Sequence, residues 1–143
     1  MYYLILMLKI TLYFFSLISV NSYSNEIDYD LLKYSNGLLY TKEINEIFTG
    51  NVTGIQNGKV INGLKEGEWK GFYENGNILW SGFYNKGLNV SKWIEYHNNG
   101  KVFSIGFYKS GKKIGVWSFY DKQGKKIADE IYKNDTVTTK IYK

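Results

Sequence analysis

The 143-residue chain has no cysteine, no proline and no arginine, and it has a single histidine, His97. Without cysteine there is neither a disulfide framework nor a thiolate metal site. One histidine excludes a multi-histidine metal cluster and argues against a hydrolytic triad. All 18 cationic side chains are lysine, so the planar fork that reads phosphate, carboxylate and guanine is missing. No sequence-specific nucleic-acid partner is expected. What the chain does have is aromatic residues (18%) and 15 glycines, a composition of strands and turns. Its charge is uneven. Residues 25–100 hold 7 lysines against 9 acids, and residues 101–143 hold 10 lysines against 4 acids. These features favour an all-β interaction module over a metalloenzyme or a DNA reader.

Residues 1–24 read as an address. They carry one charge, Lys9, followed by the apolar run Ile10 to Val20, which has the length of a signal-peptide core. Val20 and Ser22, or Ser22 and Ser24, offer small-x-small cleavage sites, giving a mature start at Tyr23 or Asn25. Because Leu4 to Leu8 is also apolar, an uncleaved N-terminal membrane anchor is the competing reading. The expected organisation is a signal peptide or anchor over 1–22, a lead-in over 23–46 and repeats over 47–143. The expected location is the periplasm, the cell envelope or the exterior.

The remainder is periodic. Trp69, Trp93 and Trp117 are 24 residues apart, and the columns around them agree. Phe72, Tyr96 and Tyr120 follow at one offset, Gly76, Gly100 and Gly124 at the next, and Tyr84, Tyr108 and Tyr132 further on. Gly82 and Gly106 form another column that Glu130 ends, and Gly87 and Gly111 form one that Asp135 ends. Several columns sharing one period identify a repeat. Upstream, Gly50-Asn51-Val52 echoes Gly67-Glu68-Trp69, and Asn57-Gly58 echoes Asn75-Gly76, at a shorter spacing. Atypical end units are what a stacked array requires.

Asn75-Gly76, Asn99-Gly100 and the weaker Gln123-Gly124 predict two-residue type I′ hairpin turns. Those turns set Trp69 opposite Gly82, Trp93 opposite Gly106 and Trp117 opposite Glu130, with Phe72 facing Leu79, Tyr96 facing Phe103 and Tyr120 facing Ile127. Strand alternation then divides the side chains between two faces. Phe72, Leu79, Phe83, Ile94, Tyr96, Phe103, Ile105, Phe107, Tyr120, Ile127 and Ile131 make the expected core face. The opposite face carries Trp69, Tyr73, Trp80, Tyr84, Trp93, His97, Tyr108, Trp117 and Tyr132. The expected fold is an elongated, single-layer antiparallel meander of stacked hairpins.

The segments Gly67-Glu68-Trp69-Lys70-Gly71-Phe72-Tyr73-Glu74-Asn75-Gly76, Ser91-Lys92-Trp93-Ile94-Glu95-Tyr96-His97-Asn98-Asn99-Gly100 and Gly115-Val116-Trp117-Ser118-Phe119-Tyr120-Asp121-Lys122-Gln123-Gly124 resemble the MORN repeat variant. Leu39-Tyr40-Thr41-Lys42 followed by Ile47-Phe48-Thr49-Gly50 is similar to the lead-in of bacterial YwqK-type antitoxins of toxin–antitoxin systems. The resemblance runs from near Leu38 to near Asp135 and implies a stacked-hairpin array that binds proteins. In eukaryotic relatives it extends to lipid. It supplies no catalytic motif, and the N-terminal run departs from a cytoplasmic antitoxin.

No residue set in the sequence makes a persuasive active site. His97 flanks a turn with Glu95 two residues away, but catalysis by a histidine needs an orienting partner and a pocket. Glu66 and Glu68 flank Gly67 and read as solvated turn charges, and Asp28 and Asp30 lack further ligands for a cation. The glycine columns are not followed by the helix that a phosphate loop requires. The expectation is therefore a non-enzyme with no catalytic, cofactor or metal residues. Two surfaces remain for partners. The aromatic row Trp69, Tyr73, Trp80, Tyr84, Trp93, Tyr108, Trp117 and Tyr132 suits a protein partner, such as a cognate toxin. Lys112, Lys113, Lys125 and Lys126 suit an anionic membrane surface or polysaccharide.

Overall fold

The computed structural model describes residues 25–143; the proposed export segment and its cleavage sites before Asn25 lie outside them. The chain opens with β1 (Glu26–Asp28), one 3-10 turn (Tyr29–Leu31), β2 (Leu32–Ser35) and β3 (Leu38–Thr41). Nine further strands follow: β4 (Gly50–Thr53), β5 (Gln56–Ile61), β6 (Leu64–Phe72), β7 (Ile78–Asn85), β8 (Leu88–Tyr96), β9 (Val102–Lys109), β10 (Lys112–Tyr120), β11 (Lys126–Lys133) and β12 (Thr136–Tyr142). From β4 to β12 each strand pairs antiparallel with the next, and β1 joins β4 in parallel, making one ten-stranded sheet. β2 and β3 form a separate hairpin. The all-β meander expected from the sequence is thus the observed fold. Among the described residues no helix is long and apolar enough to cross a membrane.

The registers in the middle of each hairpin follow the 24-residue arithmetic. Trp69 pairs with Gly82, Trp93 with Gly106 and Trp117 with Glu130. In the degenerate upstream unit Val52 pairs with Gly58, the place Trp69 takes opposite Gly82. Near the turns the registers slip by one. Phe72 faces Ile78, Tyr96 faces Val102 and Tyr120 faces Lys126, leaving Leu79, Phe103 and Ile127 as the extra residue of a bulge.

The slip follows from the turn chemistry, which corrects the type I′ reading. Gly76, Gly100 and Gly124 have φ of 82°, 80° and 88°, but the residues before them do not have positive φ. Each loop has three residues. Gly76 N–H donates to Tyr73 O at 2.9 Å and Tyr73 N–H to Asn77 O at 2.8 Å, the pattern of a type I turn closed by a left-handed glycine and a bulge. The type I′ turns are at the other ends of the strands. Asn62-Gly63, Lys86-Gly87 and Ser110-Gly111 each place two consecutive residues at positive φ between directly paired neighbours. Asn57-Gly58, read as a turn echo, lies inside β5.

The core lies on the opposite face to the one expected. Trp69 and Trp117 are fully buried and Trp93 is 6% exposed, whereas Phe83 and Phe107 are 45% and 51% exposed. The cause is the glycine columns. Each indole lies flat over the glycine of the preceding strand, not over its hairpin partner. A Cβ built on Gly58 would sit 2.2 Å from the Trp69 ring, one on Gly82 1.8 Å from Trp93, and one on Gly106 2.3 Å from Trp117. An aromatic ring over bare backbone buries its area without a second layer, so the sheet packs against itself. At the N-terminal end a true second layer exists. Leu32 and Leu39 of the lead-in hairpin, with Phe48, pack on Val52, Val60 and Trp69. That hairpin is tied down by Leu39 N–H donating to Gly63 O at 2.8 Å, and by Phe48 N–H to Leu39 O at 3.0 Å.

Candidate partner-binding surface

The aromatic row is a continuous ladder. Trp69, Tyr84, Trp93, Tyr108, Trp117 and Tyr132 meet edge to face in succession, with centroids 6.1, 5.6, 5.6, 5.2 and 6.2 Å apart. Such contacts orient the quadrupoles favourably and add to area burial. Trp80 departs from the zigzag and stacks on Trp93 at 4.9 Å and 12°. The Trp69 Nε1–H donates to Lys59 O at 3.1 Å and the Trp117 Nε1–H to Phe107 O at 3.3 Å. The three repeat tryptophans are therefore spent on the fold, and this corrects the expectation that Trp69, Trp93 and Trp117 stand open to a partner. Trp80, Tyr73, Tyr84, Tyr108 and Tyr132 remain half-exposed.

Two lysines complete the ladder from within. The Lys65 ammonium lies 4.2 Å from the Trp69 ring centroid, with Tyr84, Tyr29 and Trp80 at 5.1, 5.4 and 5.7 Å. Lys113 lies 4.0 Å from Trp117 and 5.2 Å from Tyr132. Loss of hydration on burial pulls the Lys65 pKa down to about 8. Burial pushes the Tyr108 and Tyr132 hydroxyls up to about 12, helped by the neighbouring carboxylates of Glu95 and Glu130 respectively. Lys113 and Lys126 are thus engaged with the sheet; Lys126 pairs with Asp129 at 2.8 Å. Lys112 and Lys125 are exposed, at opposite ends of β10 and roughly nine residues' rise apart.

Where the turns of the β6–β7 and β8–β9 hairpins meet, the ladder opens into a cleft of ≈ 510 Å³ lined by Tyr73, Leu79, Trp80, Glu95, Tyr96, His97 and Phe103. Strict alternation had placed Leu79, Tyr96 and Phe103 on the other face; the bulge at each turn brings them to the same cleft as Trp80 and Glu95. A sequence signal for this existed, because a left-handed glycine closing a three-residue loop forces the one-residue slip. Units are locked together here by bonds from one turn to the next. Tyr73 Oη donates to Tyr96 O at 2.7 Å, Asn75 Nδ2 to Asn98 Oδ1 at 2.6 Å and Asn99 Nδ2 to Lys122 O at 2.9 Å. His97 belongs to this scaffold, its Nε2 being 2.9 Å from Tyr120 O and its ring edge-on to Phe103 at 5.1 Å.

The other charged residues singled out in the sequence are also structural. Glu66 accepts from the Lys86 amide at 2.8 Å, Glu68 pairs with Lys70 at 3.2 Å, and Asp28 caps the 3-10 turn through Asp30 N–H at 2.9 Å. Among the described residues no group of three or more His, Asp or Glu is placed to hold a metal ion.

No curated protein and no solved structure matches the chain. Residues 65–86 and 90–110 match the family model described as MORN repeat variant. The two matched segments are the β6–β7 and β8–β9 hairpins whose turns form the cleft; the lead-in that carries the antitoxin resemblance lies outside them. Repeats of this kind are commonly protein- or membrane-binding modules and typically non-enzymatic.

Proposed function

We propose that the chain is an exported, non-enzymatic repeat protein that binds a partner protein through the open part of its aromatic face. The observation that carries this reading is the cleft of Tyr73, Leu79, Trp80, Tyr96 and Phe103 around Glu95. Rigid aromatic walls around one acidic anchor are what protein-binding hot spots are made of. Turn-to-turn hydrogen bonds and the stacked Trp80–Trp93 pair hold those walls in place before any partner arrives, so little ordering is needed on binding. The apolar run Ile10 to Val20 supports export.

The test is affinity capture with the tagged full-length protein expressed in a native-like host, with bound proteins identified by mass spectrometry. Phe103→Ser, at the mouth of the cleft, should weaken capture at least tenfold, the scale of a hot-spot side chain. The paired change Phe83→Ser/Phe107→Ser on the back of the sheet should leave it intact. The reverse pattern would move the binding surface to the back face. Intact mass of the same material should show a start at Tyr23 or Asn25.

A further inference from the structure

The geometry points to the chemical group this cleft receives: an alkylammonium, presented as a lysine side chain of the partner protein. The inference rests on the protein-binding reading above and adds what is recognised. Among the described residues Glu95 is the only acid lining the cleft, and no lysine lines it. Its Oε2 accepts from Ser104 Oγ at 2.6 Å, which fixes the carboxylate without neutralising it. Among the described residues Glu95 makes no ion pair, although Lys126, Lys140 and Lys143 are drawn to the acids of the last unit. A half-buried carboxylate among rings favours a cation that brings its own apolar stem.

Directly across the strand pair from Glu95 stands Trp80. The pair occurs at this place alone, because the register-equivalent partners are Gln56 with Gly71 on one side and Ser104 with Phe119 on the other. The fold itself shows how it treats such rings. Lys65 and Lys113 place ammonium groups at 4.2 and 4.0 Å over Trp69 and Trp117, while the corresponding position of the middle unit is Asn89. The middle unit therefore supplies a carboxylate but no lysine at this position, and the Lys65 ammonium of the unit before, held over Trp69 at 4.2 Å, reaches Trp80 only at 5.7 Å. Leu79 and Phe103 supply apolar wall for a lysine's four methylenes, and a cleft of ≈ 510 Å³ has room for the stem as well as the head. A bare choline head would leave that wall uncovered.

The probes are N-acetyl-lysine methylamide, its uncharged analogue N-acetyl-norleucine methylamide, and glycerophosphocholine, each titrated into the full chain while the Trp80 indole and Ser104 amide resonances are followed. The lysine probe should shift both, and the norleucine probe should bind about tenfold more weakly. Glu95→Gln can still accept from Ser104 and should keep the wild-type melting temperature. It should bind lysine about three- to fivefold more weakly, the scale of one partly exposed charge pair. Equal binding of norleucine and lysine, or no effect of Glu95→Gln, would overturn the inference, and tighter binding of glycerophosphocholine would replace lysine by a choline head. Loss of the lysine response with capture still dependent on Phe103 would leave the protein-binding reading standing alone. A lysine response with capture indifferent to Phe103 would leave the cation site and remove that reading.

Discussion

At the scale of single residues, the glycine under each indole matters more than its size suggests. Gly82 and Gly106 are in strands at ordinary φ, so their constraint is space and not conformation. Gly82→Ala and Gly106→Ala should each cost about 1–3 kcal/mol or more, because the added methyl must displace a buried indole. Gly76→Asn adds a side chain where nothing lies within 4 Å, and asparagine tolerates its φ of 82°. It should cost a few tenths to about 1 kcal/mol, and urea unfolding of the three variants tests the contrast. The sequence displayed these columns clearly. It did not say which of two apolar faces is inside, because hydrophobicity ranks Phe83 and Phe107 beside Trp69 and Trp117, and only the bare backbone of Gly58, Gly82 and Gly106 breaks the tie. Lysine and tyrosine protonation gives a second test. With Lys65 pulled from 10.5 to about 8, the unfolded chain holds the extra proton from about pH 8 to 10.5, and stability should rise with pH over that window. Tyr108 and Tyr132, held at about 12 against an ordinary 10, act in the opposite sense. The folded chain keeps protons that the unfolded chain loses between pH 10 and 12, and stability should fall there. Urea midpoints from pH 7 to 12 should trace this rise and fall, and Lys65→Met should remove the rise.

At the scale of elements, the two ends of the β6–β7, β8–β9 and β10–β11 hairpins are built differently. Three-residue loops closed by glycine put a bulge beside the cleft, and two-residue primed turns pin the register at the other end. A dipeptide such as Asn-Gly states that one residue can adopt positive φ. It does not state whether its predecessor does too, and that is why the loops at Gly76, Gly100 and Gly124 are three-residue loops and not the type I′ turns expected, while the central pairs, such as Trp69 with Gly82, are as expected. Lys86 and Ser110 occupy the first primed position at φ of 48° and 49°, where asparagine is the favoured residue. Lys86→Asn and Ser110→Asn should each raise stability by about 0.5 kcal/mol, within the usual gain from fitting a residue to its turn. Thermal melts of the single and double variants check this; a loss at both sites would contradict the primed geometry. The cleft was the least legible element, because two of its walls, Leu79 and Phe103, are bulged residues that strict alternation sends elsewhere.

At the scale of the whole molecule, stability should be graded along the array. From β5 to β12 each strand pairs only with its neighbours in the chain order, as in other one-dimensional folds. The N-terminal end has the lead-in hairpin over Val52, Val60 and Trp69, whereas Thr136–Tyr142 of β12 is exposed almost throughout. Amide exchange followed by mass spectrometry should therefore show protection highest over β5–β8 and lowest over β12, with the difference growing in mild urea. Uniform protection from β5 to β12 would mean that the array opens as one unit. The way each indole covers the glycine of the strand before it also gives the molecule a direction, like a polymer with a reactive end and a spent one. A duplicated 24-residue unit inserted ahead of β10 would find Gly106 free to lie under its tryptophan and would present a new glycine to Trp117. Added after β11 it would meet Glu130, which receives Tyr132 Oη at 2.7 Å and Lys140 at 2.8 Å and leaves no flat backbone to cover. Length in such a protein can change by internal duplication, but growth at the C-terminal end has been chemically switched off.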